Sequence, residues 1–133
     1  MIVVDASALT AFILKETGWK SLANYLKYGL SVDHAIKEVA NALWRLHRVK
    51  KAIGVEDAER LFNILCSLVG VNVLLEPEQT YLSKAFRIAL EYGISVYDAL
   101  YIALAAEKNL PLLTLDEKQR EAAITFGVRT FEV

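Results

Sequence analysis

Eight consecutive apolar or aromatic residues run from Ala99 to Ala106, and a helix built from them has no face that can be turned to water. Such a helix is stable only when other elements pack around it, so the chain must fold in layers that enclose this segment. Asp98 stands at its mouth, inside the first turn, where free backbone N–H groups and the helix dipole favour negative charge. Ser95, three residues earlier, completes a capping-box pattern with Asp98. Capping and ligand binding are compatible uses of the same helix terminus, so the segment alone leaves both open.

The rest of the chain supplies the layers. Ile2-Val3-Val4 is a β-branched run without alternation, the pattern of a strand buried on both faces, and it stops at Asp5. Helices are expected over 6–14 and 19–26. A short strand follows over 30–32, and then a long helix, capped by Asp33, to about Lys51. Further helices are expected over 55–69 and from Pro77 to Tyr92, the latter ended by Gly93 as its C′ residue. Strand candidates occupy 71–75, 112–115 and 128–133, with a last helix over 117–126. Strands alternating with helices through short connections predict an α/β fold, a three-layer α/β/α sandwich around a mostly parallel sheet. With 133 residues, 55% of them apolar, and no linker or repeat, one domain over 1–133 is expected.

Composition removes several classes of function. Cys66 is the only cysteine, which rules out a disulfide framework and favours a reducing, cytoplasmic setting. The N-terminal segment lacks a basic region and is broken by Asp5, and no stretch reaches the roughly 18 apolar residues of a membrane span. A formal net charge of −1 gives no global attraction to a polyanion, so nucleic-acid binding must rest on a local patch or on metal ions.

Four carboxylates share one description. Asp5 and Asp116 end strands, Asp98 begins a helix, and Glu38 lies in the second turn of the long helix, bordering its apolar stripe. In open α/β sheets ligands bind beyond the carboxyl ends of the strands, where all four acids are expected to converge. Like charges gathered there take up protons or recruit a cation, and an all-oxygen set suits Mg²⁺ or Mn²⁺. Carboxylate-held metal at such an edge is apparatus for phosphoryl chemistry. Ser7 and Thr114, two residues from Asp5 and Asp116, are hydroxyls placed to orient ligands.

Asp5-Ala-Ser7 after Ile-Val-Val, Glu38-Val-Ala-Asn41, Asp98-Ala-Leu-Tyr-Ile-Ala103 and Thr114-Leu-Asp116 stand in the order and approximate spacing of the PIN domain family. The chain resembles most the VapC toxins of bacterial and archaeal toxin–antitoxin pairs. The resemblance covers nearly the whole chain and implies a metal-dependent endoribonuclease, with Asp5, Glu38, Asp98 and Asp116 as catalytic metal ligands for Mg²⁺ or Mn²⁺. It implies Ser7 as an auxiliary hydroxyl, Asn41 and Thr114 in support, a homodimer, and a cognate VapB-like antitoxin that occludes the site. One departure is plain: many relatives carry another acid two or three places after the last aspartate, where this chain has Lys118 and Gln119, which leaves the number of metals open.

The basic run Arg45-Leu-His-Arg-Val-Lys-Lys51 offers Arg45 and Arg48 as candidate RNA contacts, although a solvated helix end explains it equally well. His34 and His47 read as surface residues. The tyrosines and tryptophans, Tyr97 and Trp44 among them, recur at helical spacing and read mainly as core. A catalytically silent PIN-like binding module is the alternative, expected to have lost one or more of the acids that this chain retains. A phosphoacceptor domain would need an acidic pair before the first helix, and a dehalogenase-like phosphatase a second aspartate where Ser7 stands.

Overall fold

A computed structural model describes residues 1–131. Five strands form one sheet in the order β3-β2-β1-β4-β5: β1 (Ile2–Val4), β2 (Gly29–Val32), β3 (Val73–Glu76), β4 (Leu112–Leu113) and β5 (Thr130–Phe131). All four neighbouring pairs are parallel. The expected sheet is thus parallel throughout the described residues. Seven helices connect the strands: α1 (Ala6–Ile13), α2 (Trp19–Leu26), α3 (His34–Arg48), α4 (Val55–Leu68), α5 (Glu78–Tyr92), α6 (Val96–Lys108) and α7 (Glu117–Phe126). Helices α1 to α4 contact one another and α5 to α7 form a second group, the three-layer arrangement that the alternating pattern predicts.

Helix α6 fulfils the demand of its sequence. Every residue from Ala99 to Ala105 is buried, and the helix packs on α5, α7 and strands β1, β2 and β4. Its apolar girdle and the β-branched strand β1 meet in the core with Leu9, Val39 and Leu113. Gly93 ends α5 in the left-handed region, with φ 68°, as its place after Tyr92 predicts.

Several boundaries move. The third strand starts at Val73 rather than Val71, which is exposed. The strand expected over 112–115 pairs only at Leu112 and Leu113. Thr114 and Leu115 leave the ladder because side-chain hydroxyls claim the next amides: Leu115 N–H donates to Ser7 Oγ and Asp116 N–H to Thr114 Oγ1. The final strand pairs at Thr130 and Phe131, and the rest of that expectation, Glu132 and Val133, lies outside the described residues. Asp33 precedes α3 but does not cap it. Its carboxylate instead accepts the N–H of Glu78, 2.9 Å away at the start of α5, and so joins two helices 45 residues apart.

The order of strands defines one crevice. After β1 the chain winds outward through β2 and β3, then returns across β1 to build β4 and β5, so the connections leaving β1 and β4 diverge between these adjacent strands. Asp5 follows β1 and Asp116 follows β4 by three residues, which puts both at the carboxyl edge of this switch point.

Candidate metal and phosphodiester site

Each strand-end aspartate is also a helix N-cap. Asp5, extended at φ −94° and ψ 178°, accepts the N–H of Ala8 and opens α1. Asp116 accepts the N–H of Gln119 and opens α7. Asp98 lies in the first turn of α6, where its own N–H donates to Ser95 Oγ, the first half of the capping box. Glu38 reaches the same place from α3, its carboxylate held by the Tyr101 hydroxyl at 2.6 Å.

These elements enclose a cavity of about 410 Å³ whose walls include Asp5, Glu38, Asp98 and Asp116, together with Ser7, Tyr101 and Gln119. Glu16 joins them, a fifth carboxylate that the sequence reading leaves in the turn after α1. Among the described residues no lysine, arginine or histidine lines this cavity. Clefts of about 810 and 870 Å³ lie elsewhere; the first mixes both signs of charge, with Lys84 paired to Glu107 and Lys108 to Glu76, and the second is mainly aliphatic.

A hydroxyl network fixes the deepest acid. Asp5 is only 2% exposed, and Ser7 donates to its Oδ1 at 2.7 Å while Thr114 donates to its Oδ2. Each hydroxyl has one proton to give, so both give it to Asp5 and accept backbone amides in return, Ser7 from Leu115 and Thr114 from Asp116. The ends of β1 and β4 are stitched together through one carboxylate. Buried Gln119 extends the stitching by donating from Nε2 to the Asp98 carbonyl at 3.1 Å.

The charges are only partly offset, by Lys118 acting on Asp98 from outside the cavity wall. Burial pushes the Asp5 carboxyl up to about 6, against the hydrogen bonds from Thr114 and Ser7 that lower it, and the nearby Asp98 adds to the rise. Glu38 is raised by burial, partly offset by the Tyr101 hydrogen bond. Asp98 is raised by burial and by the charge of Asp116. Tyr101, buried beside Glu38, is raised far from ionisation and serves purely as a donor. Five carboxylates around one cavity make an environment that favours a positive ion, and their uniform oxygen chemistry fits a hard divalent one. Among the described residues no three of these groups stand close enough to hold a metal ion together. Asp5, Glu38 and Asp116 each accept a hydrogen bond from a protein donor, which fixes their carboxylates apart from one another. An ion that keeps several of its waters is the species this looser cup suits.

The remaining candidates divide. Ser7 and Thr114 belong to the network. Asn41 is exposed and outside the cavity wall, and the residue one turn beyond Glu38 that does line it is Ala42. Arg45 and Arg48 are exposed in the last turns of α3, away from the acids. His34, expected at the surface, is 9% exposed, with Nε2 3.4 Å from Glu38 Oε1 and burial lowering its pKa. Tyr97 and Trp44, expected mainly in the core, are exposed. Gln119 and Glu16 carry no motif of their own; only the strand-end aspartate before Gln119 could have pointed to it.

No single described helix is long and apolar enough to cross a membrane. The PIN domain model matches residues 2–124. Ribonuclease VapC3 of Pyrobaculum aerophilum is 32% identical over 123 residues, covering 90% of this chain and 92% of that protein. Exonuclease VapC9 of the same organism is 32% identical over 119 residues, 87% of this chain and 80% of that protein. The crystal structure of PAE2754 from Pyrobaculum aerophilum is similar with a TM-score of 0.73 and 28% identity, covering 97% of this chain and 89% of that one. That of FitAcB from Neisseria gonorrhoeae shares the fold at a TM-score of 0.64 and 17% identity, over 99% and 97% of the two chains. With the motif order, the switch-point carboxylates and these likenesses in agreement, the chain belongs to the PIN domain family, in its VapC-like branch.

Proposed function

We propose that residues 1–133 act as one Mg²⁺- or Mn²⁺-dependent endoribonuclease domain, the toxin of a toxin–antitoxin pair. The observation that carries this reading is the gathering of Asp5, Glu38, Asp98 and Asp116 around one cavity, at the switch point of a parallel sheet, without a basic side chain among the described residues of its wall. Those four acids would hold the ion. When bound, a divalent cation activates water and stabilises the leaving oxygen of a phosphodiester.

The chain's own groups do the positioning. Ser7 and Thr114 keep both oxygens of Asp5 oriented, and Tyr101 keeps Glu38 turned toward α6. With the wall carboxylates ionised, the bare cavity repels a phosphate, so substrate and cation are expected to bind together. The same reading includes a VapB-like antitoxin that covers the cup, and a homodimer. Leu82, Phe86 and Leu90, exposed at four-residue spacing along α5, are apolar surface suited to such contacts.

The relatives' names include both a ribonuclease and an exonuclease. The test is cleavage of a panel of structured, linear and circular RNAs by the purified protein with Mg²⁺, Mn²⁺ or EDTA, beside Asp98→Asn. Metal-dependent cutting of circles, lost in the variant while its thermal melt stays cooperative, is the expected result. Cutting of linear RNA alone would make it an exonuclease. Equal cutting by the variant would remove the acidic site from the mechanism, and binding without cutting by wild type would favour the silent binding module.

A further inference from the structure

Helices α3 and α6 meet along two rungs. The inner rung is Glu38 with Tyr101, joined by a 2.6 Å hydrogen bond at the cavity wall. The outer rung lies one turn toward both helix starts and pairs His34 with Tyr97, four residues before Glu38 and Tyr101 respectively. Their rings are stacked, with centroids 4.7 Å apart and planes 13° from parallel. His34 is buried, whereas Tyr97 is 59% exposed. The tyrosine is therefore held by one face while much of its surface stays open to solvent.

An aromatic ring in that state is unusual on energetic grounds. A solvent-facing tyrosine ordinarily has free rotamers, and ordering it against a binding partner costs side-chain entropy. The buried imidazole has already restricted Tyr97, so the exposed ring is ordered before anything binds. His34, which carries the Tyr97 ring, also lies 3.4 Å from Glu38 Oε1, and Asp98 is the residue next to Tyr97 in the chain, so the ring stands at the border of the acidic cavity.

We propose that Tyr97, backed by His34, is a stacking platform for an unpaired base of the RNA whose phosphate is presented to the carboxylates. The proposal rests on the nuclease reading above and assigns a base contact within it: the bases of an unpaired strand are free to lie flat on the ring. A duplex keeps its base faces covered. Stacking also tolerates any base, so Tyr97 selects for strandedness rather than for sequence. His34 is a positioning residue that acts through Tyr97.

The test separates stacking from charge. Two probes of equal charge are used, single-stranded decauridylate and a ten-nucleotide ribose-phosphate strand without bases, bound to Asp116→Asn protein so that neither is cut. Decauridylate is expected to bind the tighter. Adding Tyr97→Leu should weaken decauridylate binding roughly tenfold and leave the abasic strand where it was, while Tyr97→Phe restores the difference. In the otherwise unaltered enzyme, Tyr97→Leu should act on KM more than on kcat. Equal weakening of both probes, or of neither, overturns the platform. Cleavage by wild type is measured in parallel: if wild type cuts RNA and Tyr97→Leu keeps its full preference, the platform alone fails, and if wild type neither cuts nor binds RNA, the nuclease reading fails with it.

Discussion

Replacing Asp5 by asparagine should stabilise the metal-free protein at neutral pH, although it removes a principal candidate ligand. The Asp5 carboxyl has its pKa raised from 3.8 to about 6 in the folded protein. The native state therefore holds the proton more tightly than the unfolded chain, and stability is lost as pH rises from about 3.8 to 6. At about 1.4 kcal/mol per pH unit the loss is about 3 kcal/mol by pH 7. Asparagine removes this cost with little change of shape. Its oxygen can still accept from Ser7 and Ala8, and its amide can donate to Thr114, whose hydroxyl is then free to turn to Gln119 Oε1, 3.4 Å away. Any imperfection in that exchange is independent of pH. The assay is urea or thermal unfolding of both proteins in EDTA between pH 4 and 7.5. The stability of Asp5→Asn relative to wild type should climb by up to about 3 kcal/mol across this range, of the order of 10 °C at neutral pH for a chain of this length. Saturating Mg²⁺ should close the gap by stabilising wild type alone. A difference that stays flat with pH, or that falls, would refute the argument that an uncompensated buried charge sits at Asp5.

Two further outcomes follow from particular contacts. Tyr101→Phe releases Glu38 from its donor. Groups that orient metal ligands typically contribute 10- to 100-fold in metal affinity, so the Mg²⁺ concentration giving half-maximal cleavage should rise by roughly tenfold, while excess metal restores most of the rate. An unchanged metal requirement would show that Glu38 needs no such support. Leu104→Ala opens a hole in the fully buried girdle of α6 and should cost about 2–5 kcal/mol in urea unfolding; a cost below about 1 kcal/mol would mean that α6 is less tightly enclosed than its burial indicates.

What could be read from the chain alone was whatever depends on a local run. The eight apolar residues after Asp98 require enclosure wherever they occur, and Ile2-Val3-Val4 ending at Asp5 identifies a buried strand and its exit. Because a parallel strand can exit only at its carboxyl edge, Asp5 and Asp116 were recognisable as neighbours before their pairing was known. What escaped depends on which element comes to lie beside which. Glu38 and Tyr101 are 63 residues apart, and nothing in either segment announces the hydrogen bond that joins them. Gln119 is buried because α7 folds over the start of α6, although its surroundings in the chain, Lys118 and Arg120, are polar. His34 was misread for the same reason: burial comes from Tyr97 and the start of α5, neither of which is local to it. The motif that begins at Glu38 also includes Asn41, but the α3 residues that line the cavity are Glu38 and Ala42, one full turn apart on the same face.

That Asp5 and Asp116 each cap a helix changes how inactivity can arise in such a chain. Alanine at either position removes a charge and also about 1 kcal/mol of helix capping, and at Asp5 it strips the Ser7 and Thr114 hydroxyls of their acceptor, so a lost activity would be confounded with a changed fold. Asparagine keeps an oxygen where the amide needs one. On the toxin reading proposed above, chains silenced at these two positions under selection for escape from toxicity would therefore divide into folded ones, able to compete for an antitoxin, and frayed ones that cannot. The first kind is a decoy, and the architecture makes it a single substitution away.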